Sequence, residues 1–102
     1  MYIFLTFFPD WTLVKEKAEC SGEKEIFVKP MLSTIDECAR RCKGESSMFA
    51  FGTNDYQDNR CTDDGSKCRC ICETASRNGS CDVVYHNGYR LYRYHQGNLT
   101  IK

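Results

Sequence analysis

Cysteine is the residue type in this chain with the most chemistry to offer, and three of its eight cysteines crowd into "KCRCICE" at residues 67–73. Thiolates at such density serve as metal ligands, as a redox centre or as halves of disulfides. A zinc site wants CxxC knuckles or Cys/His sets that converge as a tetrahedron, whereas Cys68, Cys70 and Cys72 alternate along an extended strand. A redox centre wants CxxC at a helix N-terminus, and the sequence contains no such motif. The even count in a small chain favours structural bridges, an oxidising compartment and no thiol left for catalysis or for a metal.

Other candidate chemistry is thin. The two histidines, His86 and His95, sit in no recognisable nucleophile motif, so the chain is expected not to be an enzyme and to need no cofactor. The stretch "NDYQDNRCTDDGS" carries Asp55, Asp58, Asn59, Asp63 and Asp64, oxygen donors of the kind calcium takes, but without the EF-hand spacing. A solvated, turn-rich loop is the plainer reading. Basic and acidic residues balance at 14 each, so the basic excess of a nucleic-acid binder is missing. Asn78-Gly79-Ser80 and Asn98-Leu99-Thr100 are acceptor triplets for N-glycosylation, which matter only in a secreted chain.

The elements that position these residues follow from periodicity. In "STIDECARRCKG", Thr34 and Glu37 form a capping box and Gly44 stands where a left-handed residue ends a helix. Ile35, Cys38, Ala39 and Cys42 fall on one face of that helix, so both cysteines point into the core. Strands are expected in "WTLVKEKAEC", in "EIFV" up to Pro30, in "MFAFGT" and in "KCRCICET". A period of two puts Cys68, Cys70 and Cys72 on one face, with Lys67, Arg69, Ile71 and Glu73 opposite. Asn87-Gly88 between two β-rich runs predicts a type I′ hairpin, with His86 facing Tyr89, Val84 facing Leu91 and Asp82 facing Arg93.

Helix cysteines four apart rise by about 6 Å, and strand cysteines two apart by about 6.6 Å. A helix lying on the strand can therefore make two adjacent bridges. Cys38–Cys72 and Cys42–Cys70 are the expected pairs, with Cys61–Cys68 clipping the acidic loop and Cys20–Cys81 tying the first strand to the last. Eight cysteines allow on the order of a hundred connectivities, so other pairings stay open.

"STIDECARRCKGESSMFAFGT", "KCRCICE" and "GYRLYRY" together resemble the PAN/apple module, over roughly residues 11–94. Where that family places a cysteine before its "AF" strand, this chain has Ser46, Ser47 and Met48. The resemblance implies a small extracellular α+β fold, a disulfide-rich antiparallel sheet with one helix packed on it. It also implies binding of carbohydrate or protein without chemistry of its own.

Two functional expectations follow. The apolar run at residues 1–10, with Tyr2, Phe4, Leu5, Phe7 and Phe8, is too short to span a bilayer and has no cleavage site. It is expected to add as a strand, in cis or to a second copy, building an oligomer or filament. The alternative is a secreted lectin-like module whose face is formed by Tyr85, Tyr89, Arg90, Tyr92 and Arg93, recognising a glycan or an extracellular protein. Residues 95–102 are expected to be a C-terminal tail.

Overall fold

The computed structural model describes residues 10–22, 25–32, 34–52 and 68–95. Five strands and one helix follow in the order β1 (Trp11–Cys20), β2 (Ile26–Leu32), α1 (Ile35–Cys42), β3 (Met48–Gly52), β4 (Cys68–Cys72) and β5 (Val83–Tyr94). The strands form one antiparallel sheet in the order β1-β5-β3-β4-β2. The fold is thus α+β and disulfide-rich. No helix among the described residues is long and apolar enough to cross a membrane.

α1 starts where the sequence asks it to. Thr34 is extended, and its hydroxyl accepts the Glu37 N–H at 3.2 Å. Asp36 and Glu37 lie in the first turn and Arg40 and Arg41 in the last, each sign suiting its end of the helix dipole. Gly44, at φ 89°, turns the chain away afterwards. Cys38, Ala39 and Cys42 face the sheet.

β3 is buried along its whole length because both faces of the sheet are covered. Phe49 and Phe51 meet α1 together with Val28, Cys68, Cys70 and Cys72. Met48 and Ala50 point the other way, into a second cluster with Ala18, Cys20, Ile71, Tyr89 and Leu91. The end of β1 and the start of β5 lie at that second face, and the Cys20–Cys81 bridge (Cα–Cα 5.7 Å) holds them together.

The two bridges from α1 differ from the expected pairs. Cys38 joins Cys70 (Cα–Cα 5.5 Å) and Cys42 joins Cys72 (5.1 Å), not Cys38–Cys72 and Cys42–Cys70. Spacing alone fits either choice; the direction of the helix decides. β3 runs antiparallel to β4 with Phe49 opposite Cys72, so the start of β3 lies at the end of β4. The chain from α1 reaches β3 through residues 43–47, which brings the C-terminal end of α1, and Cys42 with it, to Cys72. Cys68 is also bridged; Cys61, its expected partner, lies outside the described residues.

The predicted hairpin at Asn87-Gly88 does not form. β5 runs unbroken from Val83 to Tyr94, with β1 on one side and β3 on the other. Val84 lies opposite Glu19, Leu91 opposite Lys15 and Ala50, and Arg93 opposite Thr12 and Met48. A type I′ turn needs positive φ at both central residues, and neither Asn87 nor Gly88 has it. The dipeptide instead sits in a bulge, where His86 to Tyr89 face the single residue Lys17, itself at φ 56°. There His86 Nδ1 accepts the Gly88 N–H at 3.0 Å, and the His86 ring stacks on Tyr89 at 4.2 Å.

The type I′ turn appears at the other Asn-Gly. Asn78 (φ 54°) and Gly79 (φ 77°) link Arg77 and Ser80, which exchange hydrogen bonds of 2.8 and 3.0 Å. β2 also departs from expectation, continuing through Pro30 to Leu32. It is the outermost strand, and a register shift falls between Val28 and Leu32, so the N–H that proline lacks leaves no central ladder rung unmade.

Candidate functional site

Pairing of Trp11 with Tyr94 brings the first residue of β1 beside the last of β5, under the C-terminal half of α1. A pocket of about 350 Å³ opens there, lined by Asp10, Trp11, Ala39, Arg40, Lys43 and Tyr94. Its aromatic base is continuous. Trp11 meets Phe49 edge-on at 6.1 Å, and Phe49 in turn packs against Tyr92 and Tyr94, each at 5.2 Å.

Polar bonds fix the walls. The Tyr94 hydroxyl donates to the Ala39 carbonyl, which also accepts the Lys43 N–H at 3.1 Å. The His95 N–H donates to the Asp10 carbonyl at 2.8 Å, and the His95 ring contacts the Thr12 hydroxyl. Burial holds the Tyr94 phenol well above its ordinary range, so it stays a neutral donor. Lys43 pairs with Asp10 at 3.2 Å across the mouth, but both side chains are about two-thirds exposed (65% and 68%). Such a pair contributes little and yields readily to a ligand.

The pocket therefore offers flat apolar ring surface at its base, two cations, Arg40 and Lys43, at its rim, and one carboxylate. Among the described residues, its lining holds no serine, cysteine or histidine.

The face expected from Tyr85, Tyr89, Arg90, Tyr92 and Arg93 is not one surface. Tyr89 is 2% exposed in the second cluster, whereas Tyr92 stacks on Phe49 on the opposite side of the sheet. Arg93 donates to the Gly79 carbonyl at 3.3 Å, and Arg90 is half-buried. Tyr85 stands out at 72% exposed, and Arg93 is exposed as well. In the sequence Tyr94 belongs to the tyrosine run Tyr85, Tyr89, Tyr92 and Tyr94, of which about half is expected to pack on the core and the rest to face outward for recognition. Arg40 and Lys43 read only as helix-dipole partners and Trp11 only as an apolar strand contact. Asn78 is exposed at its turn. Asn98, Asp55, Asp58, Asp63, Asp64 and the apolar residues Tyr2, Phe4, Leu5, Phe7 and Phe8 lie outside the described residues.

A second cluster of functional type lies on the far side of the sheet. Glu19, Glu25 and Glu73 each bring a carboxylate oxygen within 4.8 Å of the others. Glu73 is fully buried; its Oε2 accepts the Cys20 N–H at 3.1 Å, and its Oε1 is buried without a hydrogen-bond partner. Burial, reinforced by Glu25, pushes the Glu73 carboxyl up to about 9, and burial raises Glu19 as well. His86, lowered chiefly by burial, also feels the Glu25 charge.

Set against family models, curated proteins and solved structures, the chain finds no match in any of the three.

Proposed function

We propose that this chain is an extracellular, non-catalytic binding module, of the PAN/apple kind its cysteine helix and strands resemble, and that it binds an acidic saccharide at the Trp11–Tyr94 pocket. One observation carries the reading: an aromatic base with two cations above it. A sugar ring lays its C–H face on an indole or phenol, and a carboxylate or sulfate on the ring meets Arg40 and Lys43 in charge-assisted bonds. The bridged cysteines fit an oxidising compartment, as secretion requires.

The test is a glycan array probed with the oxidised protein, followed by titration calorimetry on the positive glycans. Uronic-acid or sulfated saccharides are expected to bind, and Trp11→Ala to weaken them at least about tenfold. Binding confined to neutral glycans, or undiminished in Trp11→Ala and Lys43→Ala, overturns the proposal.

A second reading, assembly of copies by strand addition, has its own support. β2 is an outer strand carrying Ile26 and Phe27, 45% and 41% exposed, beside an edge that an added strand would use. Residues 1–10 are the expected donor. Light scattering on the chain with and without them decides: a monomeric mass in both sinks assembly, and a larger mass lost on truncation supports it.

A further inference from the structure

Antiparallel pairing of Ile26 with Cys72 sets Glu25, just before β2, opposite Glu73, just after β4. Like charges facing each other across strands repel. The end of β1 adds a third, because the Cys20 N–H is bonded to Glu73 and Glu19 stands next to Cys20. The three carboxylates converge to within 4.8 Å, and the one at the centre is 0% exposed, with the Glu25 carboxyl in hydrogen-bonding reach of it and its Oε1 without a hydrogen-bond partner. Two carboxylates face to face bond only through something positive between them, and a proton or a metal cation can fill that place.

We propose that Glu19, Glu25 and Glu73 bind a calcium ion. Oxygens on a calcium shell lie about 2.4 Å from the ion and hence no more than about 4.8 Å apart, and the three carboxylates fall within that span. The donor set is all oxygen; the only other ligand-type group among the described residues, Cys38, Cys42 and Cys70, is spent in disulfides. Glu19 and Glu25 are half-buried, leaving an open side where water completes the six to eight ligands that calcium takes. Magnesium, which demands a tighter octahedron, suits such a lopsided set poorly. The ion would tie together the end of β1, the start of β2 and the end of β4, two of which belong to the outer strands of the sheet. This site is independent of the Trp11–Tyr94 pocket.

The test uses the full oxidised chain, stripped with chelator. Calcium is titrated calorimetrically, and thermal unfolding is followed with calcium, with magnesium and with neither. The expected Kd is on the order of 10⁻⁴ to 10⁻³ M, the range of extracellular modules, with a rise in Tm in calcium greater than in magnesium. Glu25→Gln and Glu19→Gln each remove charge from a partly exposed position. Each is expected to raise Tm without calcium and to weaken calcium binding at least about tenfold. The quadruple variant Asp55→Asn, Asp58→Asn, Asp63→Asn, Asp64→Asn is expected to bind as the parent does. The proposal is overturned if the parent shows neither heat nor a Tm shift at about 10 mM calcium. It is equally overturned if both glutamine variants bind as the parent, or if the quadruple variant alone abolishes binding.

Discussion

Gly52 shows how tightly one position can be specified. A Cβ on it would meet the Gly88 carbonyl oxygen at 2.0 Å and Tyr89 Cα at 2.9 Å, both backbone atoms that cannot swing aside. Gly52→Ala must therefore push β3 from β5 at the bulge. It is expected to cost about 1–3 kcal/mol in chemical denaturation, as overpacking does. Tyr94 gives a second prediction, in pH. Its folded phenol ionises above its ordinary value of 10.0 because it is buried. As pH climbs past 10 the unfolded chain releases this proton first, so the contribution is full below pH 10 and shrinks above it. Tyr94→Phe is expected to lose about 1 kcal/mol at neutral pH with the bond to Ala39, and to show a shallower decline between pH 9 and 11. Denaturant midpoints measured across that range would check both.

At the level of elements, α1 was legible in detail, since capping box, apolar stripe and terminal glycine are all local signals. The bridge partners were not. Two spacings can agree while leaving open which way a helix lies on its strand, and the missing information is the β3–β4 register, which pairs residues far apart in sequence. Cys38→Ser gives a direct check: the thiol it releases is expected at Cys70, so alkylation followed by fragmentation mass spectrometry should find the label there. A label on Cys72 would restore the original expectation. The two Asn-Gly pairs teach a related lesson. Asn87-Gly88 has the stronger flanking strands, but β1 and β3 lie ready to pair with β5, and a continuous strand makes more ladder bonds than a hairpin would. Asn78-Gly79 lacks such neighbours. Its turn is held instead by the Ser47 hydroxyl, which accepts the Gly79 N–H at 2.9 Å, and by Arg93.

For the molecule as a whole, the sheet is a partition between two clusters of different chemistry. The side toward α1 carries the aromatic pocket with its cations, and the other side carries the carboxylates. Neither was legible as a site in the sequence, because each is assembled from segments that meet only through sheet pairing: Trp11 with Tyr94, and Glu25 with Glu73 beside Glu19. The α+β, disulfide-rich class, by contrast, could be read from cysteine count and strand periodicity. Trp11 is the single tryptophan, so its emission reports the pocket alone. A bound acidic saccharide is expected to shift or quench that emission, while saturating calcium should leave it unchanged. A calcium response equal to the saccharide response would mean that the two faces communicate through the sheet.

The pairing of Trp11 with Tyr94 has a mechanical consequence as well. The first residue of β1 and the last of β5 lie side by side, so tension applied at residues 11 and 94 does not shear the sheet lengthwise. It opens β1 from β5 as a zipper opens, one rung at a time, starting at the pocket. The opening runs until it meets the Cys20–Cys81 crosslink, where the load passes directly from one sulfur to the other. Everything between residues 20 and 81, including α1 and its two bridges, is then outside the line of force. Pulled in an oxidised state, the domain should yield early at low force and then stop at a fixed extension. The Trp11–Tyr94 pocket would be lost first and the carboxylate face would be the last to feel the strain.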